Sequence, residues 1–492
     1  MNKLIVSLIG AGLTFLLAMV AQAVDAQWNL NPISGNWNIS ENWTPPITPH
    51  LPGDTATFAL SNTTNVFLSV QVTEVDSITF TPAATNPYTI TANLNTSLTL
   101  SGTGITNNSG TTESFVTVGS AGGVLFHSHI DFTNSATAGS STLFTNNGSA
   151  VDGRAGGSTI FHDTSTAANG TFTNNGATVS GGFGGATLFS GDSHADSATL
   201  IATGGTNGGQ GGTILFEDDS DGGTSRVVVS GNGNLDMTNH NLGQVTIGSI
   251  EGNGDVFLGR DRFLEFIVGG NNMDTTFSGN IQGDAEAELT KVGTGTLTLS
   301  GGNTYRGDTF IDRGVLKVNG SIRSETTVDG GTLAGTGTVR NDVSNEGRST
   351  VSPGDPLGML TVTGDYTQLA FATLMIKIAG VSDDQFSVLD VFGNAELDGI
   401  LKPVLLNGFI PSVGQTFVFL YSNGLDGEFS RIANQTFNNG MEHWEVTYED
   451  TNAILTAQAG AAAPDQASTL FLLTLSLLGL VTYHRQLRRK QG

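Results

Sequence analysis

Apolar and polar residues alternate in short runs along the middle of the chain, between residues 27 and 458. Thr296–Ser300 and Val315–Val318 are examples, and no stretch there repeats its apolar positions with the 3.6-residue period of a helix. Period-two alternation is typical of strands with one buried face, and the Gly, Asn, Asp and Ser residues between the runs are typical of turns. The pattern predicts an all-β fold.

The runs also recur at a regular interval. A Gly-Gly pair followed by an apolar run that ends in Phe occurs four times, at spacings of 35, 28 and 27 residues, ending at Phe126, Phe161, Phe189 and Phe216. A second run lies between these copies, and its apolar positions are spaced by 28, 29 and 28 residues, at Phe144, Phe172, Ile201 and Val229. Two strands and two glycine corners per period form one rung of a solenoid, which buries its apolar face only by stacking on neighbouring rungs.

The stacking predicts two internal ladders. Equivalent Phe residues on rungs roughly 4.8 Å apart would form an aromatic stack. The repeated Asn-Asn-Gly corners at Asn146–Gly148 and Asn174–Gly176 would form amide ladders. Phased Phe and Ile residues favour a parallel β-solenoid over an array of β-sandwiches, which is the alternative fold.

One segment carries a family resemblance. Leu289–Gly320, with the core Gly293-Thr-Gly-Thr-Leu-Thr-Leu-Ser-Gly301, closely resembles the autotransporter-associated β-strand repeat of bacterial passenger domains, and a degenerate copy continues through Gly330–Val339. The resemblance implies a right-handed parallel β-helix on the cell surface and implies no activity.

Both ends of the solenoid are expected to be covered. Trp37 and Trp43 lie in a segment that resembles the start of many such proteins, and we expect them to cap the first rung, because an open rung exposes an apolar edge. The alternative is that both rings stack on sugars. Residues 351–458 contain fewer glycines and larger apolar residues, and we expect them to form a C-terminal β-rich cap.

The N-terminus has the features of a secretory signal. Lys3 precedes the apolar run Leu4–Val20, and Ala21-Gln22-Ala23 offers a small-residue cleavage pattern. The export machinery is therefore an expected partner. A retained N-terminal anchor is the alternative.

The C-terminus is predicted to hold one transmembrane helix. Gln466–Tyr483 is mostly apolar and is followed by an Arg-rich tail, which the positive-inside rule leaves in the cytoplasm. Ala463–Thr469 resembles a variant of the PEP-CTERM class of bacterial sorting signals. That resemblance implies processing by an exosortase near Pro464 and Asp465, whereas a plain anchor would keep the helix in the inner membrane.

These features divide the chain into six segments. They are the signal peptide (1–26), an N-terminal β-region and cap (27–120), a Gly-rich solenoid with repeats of about 28 residues (121–288), the autotransporter-associated repeat region (289–350), the C-terminal β-region (351–458) and the sorting signal with its transmembrane helix (459–492).

Composition and charge exclude several classes of protein. The 492 residues include 67 Gly and no Cys, so there is no disulfide scaffold, no thiolate zinc site and no thiol nucleophile. Lys and Arg total 19 against 44 Asp and Glu, a net charge of −25. That balance excludes a nucleic-acid-binding surface of the usual basic kind. Without the terminal signals the body carries a charge near −29, and we expect it to prefer divalent cations or neutral glycans as partners.

Two clusters are candidate metal sites. His127, His129 and Asp131 would share one face of a strand and could hold Zn²⁺; the alternative is a solvated polar face. If the Phe residues align, His127 would also head a column of side chains that continues with His162, Ser190 and Glu217.

The second cluster is acidic. Glu217, Asp219 and Asp221 could hold Ca²⁺ through carboxylate oxygens, although the segment lacks the glutamate of an EF-hand loop, and a solvated turn is the default. No other cofactor is indicated.

Two functions from different classes fit these features. The preferred one is a non-catalytic β-helix of the envelope of a Gram-negative-type bacterium, with a structural or adhesive role and with surface polysaccharide or further copies of itself as partners. The alternative is a polysaccharide lyase or glycoside hydrolase on the same scaffold, which would use clustered carboxylates.

Overall fold

A computed structural model of the chain describes residues 23–120, 127–241, 243–259 and 263–460. Most of the predicted signal peptide, and the whole predicted C-terminal helix with Pro464 and Asp465, lie outside these ranges. None of the helices within the described ranges has the length and apolar character needed to span a bilayer.

The N-terminal half of the described chain is built from short strands. In chain order they are β1 (Asp25–Trp28), β2 (Trp43–Thr44), β3 (Thr55–Phe58), β4 (Asn65–Phe67), β5 (Val72–Phe80), β6 (Thr89–Ala92), β7 (Ser97–Asn107), β8 (Glu113–Thr117), β9 (His129–Phe132), β10 (Ser140–Asn146), β11 (Ser158–Phe161), β12 (Asn169–Asn174), β13 (Ala186–Phe189), β14 (Thr199–Ala202), β15 (Thr213–Phe216), β16 (Arg226–Val229), β17 (Asn234–Asp236), β18 (Gly243–Ile247), β19 (Ser249–Gly252), β20 (Asp255–Phe257), β21 (Leu264–Val268), β22 (Thr275–Phe277) and β23 (Asn280–Gln282).

The C-terminal half continues in the same way. Its strands are β24 (Ala287–Lys291), β25 (Thr296–Leu299), β26 (Thr309–Ile311), β27 (Val315–Val318), β28 (Ser321–Ile322), β29 (Thr326–Asp329), β30 (Thr332–Gly335), β31 (Thr338–Val339), β32 (Val343–Glu346), β33 (Thr350–Pro353), β34 (Gly358–Val362), β35 (Tyr366–Gln368), β36 (Thr373–Ile378), β37 (Ser387–Val391), β38 (Asn394–Leu397), β39 (Ile400–Leu405), β40 (Thr416–Tyr421), β41 (Gly424–Gly427), β42 (Arg431–Ile432), β43 (Thr436–Phe437), β44 (Glu442–Tyr448) and β45 (Asn452–Ala459). Two short 3₁₀ helices occupy Ser40–Asn42 and Asn438–Gly440.

The described strands stack into four sheets that run along the solenoid. A 12-stranded sheet (β2-β1-β3 to β17-β20-β23) forms one face of the N-terminal half, and a 16-stranded sheet (β4-β6-β8 to β36-β39-β42) forms a face of both halves. A nine-stranded sheet (β18-β21-β24 to β35-β38-β41) and an eight-stranded sheet (β28-β31-β34 to β45-β44-β43) complete the C-terminal half. Neighbours pair in parallel except at the two ends, so the predicted all-β parallel solenoid is confirmed and the β-sandwich alternative is wrong.

Aromatic rings fill one half of the core, as the repeat predicted. Phe132, Phe161, Phe189 and Phe216 pair in register, and neighbouring rings lie nearly parallel with centroids 4.8, 4.8 and 4.9 Å apart. The expectation that Phe126 heads this stack is wrong. Phe132 occupies that position, because β9 supplies the strand that pairs with β11.

The second column is also displaced from its predicted register. Phe115, Phe144 and Phe172 stack with centroids 4.9 and 4.6 Å apart, and Leu200 then pairs with Phe172. The prediction that Ile201 continues the column is wrong by one position. Because side chains alternate between the two faces of a strand, that difference leaves Ile201 half-buried on the outer face while Leu200 enters the core.

Glycine is required where the corners of successive rungs touch. A Cβ atom on Gly184 would lie 2.0 Å from the carbonyl oxygen of Gly211, which stands at the equivalent corner one rung later. Glycine-rich corners therefore allow the backbones to approach each other at the spacing that the strands need.

The expected C-terminal cap over residues 351–458 is shorter than predicted, because the strands from β33 to β42 continue the parallel sheets and only the last strands cover the end. β43, β44 and β45 pair antiparallel with one another and with β40. Trp444 is buried beneath them, with Phe437 and Phe417 at ring-centroid distances of 4.6 and 5.9 Å.

Candidate functional site

The structure brings together two of the three residues proposed for Zn²⁺. His129 Nε2 lies 3.4 Å from Asp131 Oδ2 on β9. His127 precedes the strand, and its ring centroid lies 5.7 Å from that of His129. Burial raises the pKa of Asp131, although the neighbouring imidazoles of His129 and His162 oppose that shift. Burial and the nearby His129 lower the pKa of His127.

The histidine column predicted from the Phe spacing is wrong at its first position. Because Phe132 pairs with Phe161, the residue one rung before His162 is Thr133 and not His127. His162 and Ser190 are adjacent as expected, with 3.0 Å between Nδ1 and Oγ. Within the described ranges no three His, Asp or Glu side chains are grouped so as to hold a metal ion.

The acidic turn proposed for Ca²⁺ uses its carboxylates to join rungs. Glu217 accepts a hydrogen bond from Asn239 (3.0 Å) and Asp219 accepts one from Asn241 (3.1 Å). Asp221 accepts from the backbone N–H of Thr246 (2.7 Å). Each carboxylate thus has a separate partner on the next rung, and Ca²⁺ binding at this turn stays a prediction.

The predicted amide ladder is confirmed. Asn146 and Asn174 are fully buried, and the Nδ2 atom of Asn146 donates to Oδ1 of Asn174 over 2.8 Å. The hydroxyls of Thr159 and Thr187 donate to Oδ1 of Asn146 and Asn174, each over 2.9 Å. Buried amides with satisfied partners tie consecutive rungs together without leaving an unpaired polar group.

The N-terminal tryptophans form a buried cluster. Trp28, Trp37 and Trp43 pack on Phe58 and on one another, with ring centroids between 4.9 and 6.1 Å apart. Trp37 and Trp43 are at most 1% exposed, so neither ring offers a face to a sugar. The cap interpretation is confirmed and the sugar-stacking alternative is wrong.

A lysine is buried inside the autotransporter-type repeat. Lys291 is 1% exposed, and its Nζ donates to the carbonyl oxygens of Val292 (2.6 Å), Arg313 (3.2 Å) and Gly293 (3.3 Å). Burial lowers the pKa of Lys291 to about 8, and the negative charge of Asp274 opposes the shift. The ammonium group ties the corners of two adjacent rungs together.

Replacing Lys291 with methionine is expected to lower the free energy of unfolding by about 2–3 kcal/mol, because carbonyl groups bonded to a cation lose their donor. The unfolded chain holds the lysine proton up to a pH of about 10.4, whereas the folded chain releases it near 8. Stability should therefore rise between pH 8 and 10 in the wild type relative to Lys291→Met. Denaturant titrations across that range measure this difference. Lys402→Met, at a half-buried position, is the control. An equal loss of unfolding free energy in both variants would contradict the prediction.

One face of the solenoid is acidic on successive rungs. We call the nine-stranded sheet the acidic face, because six successive rungs place a carboxylate at equivalent positions in its strands or one residue before them, namely Glu265, Glu288, Asp308, Glu325, Asp342 and Asp365. Burial and the neighbouring charges of Asp308, Glu265 and Glu286 raise the pKa of Glu288. The glycine and phenylalanine spacing does not predict this column, because the acidic residues recur at shorter rung spacings.

A groove lies where the 12-stranded sheet ends. It has a volume of about 720 Å³, and its lining includes Phe257, Gln282, Thr304, Arg306 and Arg323. A second groove of about 420 Å³ shares both arginines and adds Arg340 and Asn341. The same spacing does not predict these arginines either.

Comparison with known proteins finds one matching repeat family and one protein that matches over a short stretch. Residues 289–318 match the passenger-associated-transport-repeat family, the same segment that carried the resemblance in the sequence. A stretch of 77 residues, 16% of this chain, is 45% identical to an extracellular serine protease of Serratia marcescens and spans 7% of that protein. The chain thus carries a repeat of the autotransporter-passenger type.

A solved structure with some likeness is the crystal structure of the Haemophilus influenzae Hap adhesin. It is 12% identical, with a TM-score of 0.31, over 82% of this chain and 64% of the adhesin.

Proposed function

We propose that this chain is an exported protein of the cell surface or extracellular matrix of a Gram-negative-type bacterium, with a structural or adhesive role and no catalytic one. The observation that carries the proposal is the continuous parallel stacking of rungs from β1 to β42 around a passenger-type repeat. Such a solenoid presents long lateral faces on which equivalent side chains recur at every rung. Weak contacts repeated along a face add up to avidity.

The experiment compares cells that lack the gene with cells that express it again. Surface labelling of intact cells locates the protein, and attachment to abiotic surfaces and to glycan-coated beads measures its role. We expect labelling from outside and a loss of attachment in the deletion strain. An intracellular location, or attachment that does not depend on the protein, would contradict the proposal.

The enzymatic alternative has a direct test. No observation in the described ranges favours a polysaccharide lyase or glycoside hydrolase. Incubating the purified chain with a panel of acidic and neutral glycans should release no new reducing ends or unsaturated products.

The sorting of the two termini is part of the proposal. We expect the export machinery to use the N-terminal signal and an exosortase to cut near Pro464 and Asp465, before the membrane helix with its cytoplasmic tail. The intact mass of the mature protein is expected to lack Arg488 and Arg489. A mass that includes both arginines would indicate a protein that stays anchored in the inner membrane.

A further inference from the structure

Three exposed arginines stand one above another at one corner of the solenoid. Arg306, Arg323 and Arg340 each lie three residues before the first residue of β26, β29 and β32, and those first residues pair in register. We call these three residues the arginine ladder. Rungs are roughly 4.8 Å apart, so the ladder spans roughly 10 Å along the solenoid. It is confined to three rungs, because the equivalent positions before and after it are Glu286 and Thr363.

The ladder has no partner in the part of the chain that the structure describes. None of its guanidinium groups lies within ion-pair distance of a described carboxylate. The side chains of Asp308, Glu325 and Asp342, two residues further along each rung, line neither groove. Like charges at opposed positions destabilise a sheet. No described ion pair therefore holds the three stacked arginines, and their exposed guanidinium groups are available to an anionic ligand.

The surroundings of the ladder favour a sugar chain as the anion. The ladder lines two grooves that share Arg306 and Arg323 and together follow the corner across several rungs. Gln282 and Thr304 add hydrogen-bonding groups, and Phe257 offers a half-buried ring. Asp236 also lines the larger groove. Its carboxylate would repel a simple anion but can accept further hydrogen bonds from hydroxyl groups.

We propose that the arginine ladder binds an acidic polysaccharide, with one sugar carboxylate at each guanidinium. The planar guanidinium group pairs with a carboxylate through two parallel hydrogen bonds. The sugar hydroxyls face the polar residues of the groove, and a ring face packs on Phe257. This site rests on the proposed surface function and identifies its ligand class. A concave groove suits a narrow chain better than the broad acidic face of a second copy.

The test measures binding of polygalacturonate to the full chain and to two triple variants. Arg306→Gln/Arg323→Gln/Arg340→Gln removes the ladder. Arg313→Gln/Arg348→Gln/Arg431→Gln removes the same charge from exposed arginines elsewhere. We expect the ladder variant to bind at least tenfold more weakly and the control variant to change less than threefold. Methyl-esterified polygalacturonate, which lacks the charge, should bind the wild type at least tenfold more weakly.

Three results would overturn the proposal. The first is an equal loss of polygalacturonate binding in both triple variants, and the second is equal binding of the charged and esterified polymers. The third is a ladder variant whose oligomeric mass in sedimentation changes while its binding of polygalacturonate does not. Thermal unfolding of both variants checks that each of them is folded. If one of these results occurs while the wild type still attaches to cells or neutral glycans, the ligand assignment alone has failed. A wild type that attaches to no surface or glycan would show that the proposed function has failed.

Discussion

Replacing Phe161 with alanine is expected to lower the free energy of unfolding by about 3–5 kcal/mol. The ring is fully buried and lies between Phe132 and Phe189, with centroids 4.8 Å away on each side. It also meets Phe172 of the opposite face edge-on at 5.5 Å. Truncation leaves a cavity that the neighbouring rungs cannot close, because the backbone hydrogen bonds between strands fix their spacing.

The effect should spread to the adjacent rungs. In a solenoid each rung is stabilised mainly by its two neighbours, so a weakened rung lets the flanking ones open. Hydrogen exchange of Phe161→Ala should show faster exchange in β9, β11 and β13 together. Ile160→Ala, at the adjacent position on the outer face, is the matched control and should cost less than about 1 kcal/mol. Equal losses of unfolding free energy in Phe161→Ala and Ile160→Ala would contradict a core that is stabilised by stacked rings.

The fold could be predicted because one constraint shapes every rung. A side chain that points inward meets the same side chain one rung later, so Phe, Asn and Gly recur at the rung spacing. Asn146 and Asn174 illustrate this, since the amide of Asn146 donates to the amide oxygen of Asn174 on the next rung. Repetition in the sequence therefore reports contacts in the structure.

The register could not be predicted from the same pattern. Two apolar runs ending in Phe, at Phe126 and Phe132, precede β11, and both fit a strand locally. Pairing along the whole of β9 and β11 selects Phe132, which stands directly opposite Phe161 on the preceding rung. Leu200 and Ile201 pose the same problem, because both are apolar and only one of two adjacent side chains can face inward.

The arginine ladder was missed because the rung length changes along the chain. In the N-terminal half a rung leads from Phe161 to its strand partner Phe189. In the C-terminal half a much shorter rung leads from Thr309 to Thr326, and the next rung, to Val343, has the same short length. A search at the longer period does not align the three arginines. At the shorter period they align, and each is followed two positions later by Asp or Glu.

The two halves of the solenoid, which differ in rung length, also differ in which residues recur from rung to rung. Long rungs carry the aromatic stack and the amide ladder, which stabilise the solenoid from within. Short rungs place charged residues at every step on the outside, which gives the acidic face and the arginine ladder. We therefore expect the proposed acidic polysaccharide to bind on the outer surface of the C-terminal half.

The N-terminal end of the solenoid depends on the buried tryptophans. Residues 29–54 connect β1 to β3 and carry Trp37 and Trp43 into the cluster around Phe58. The indole N–H of Trp37 donates to the carbonyl oxygen of Pro49 over 2.9 Å, and that of Trp43 donates to the carbonyl oxygen of Trp37 over 2.7 Å. Without this cover the first rung would expose apolar side chains and an unpaired strand edge, which invites pairing with other chains.

Trp37→Ala is therefore expected to lower the free energy of unfolding by about 3–5 kcal/mol and to promote association between molecules. Denaturant titration followed by circular dichroism measures the first effect, and sedimentation velocity measures the second. Trp37→Phe, which keeps most of the ring volume but leaves the Pro49 carbonyl without its donor, should lose roughly 1–2 kcal/mol and remain monodisperse. A Trp37→Ala variant that is as stable and as monodisperse as Trp37→Phe would contradict a capping role. The two variants differ in that phenylalanine still fills the end of the core and alanine does not.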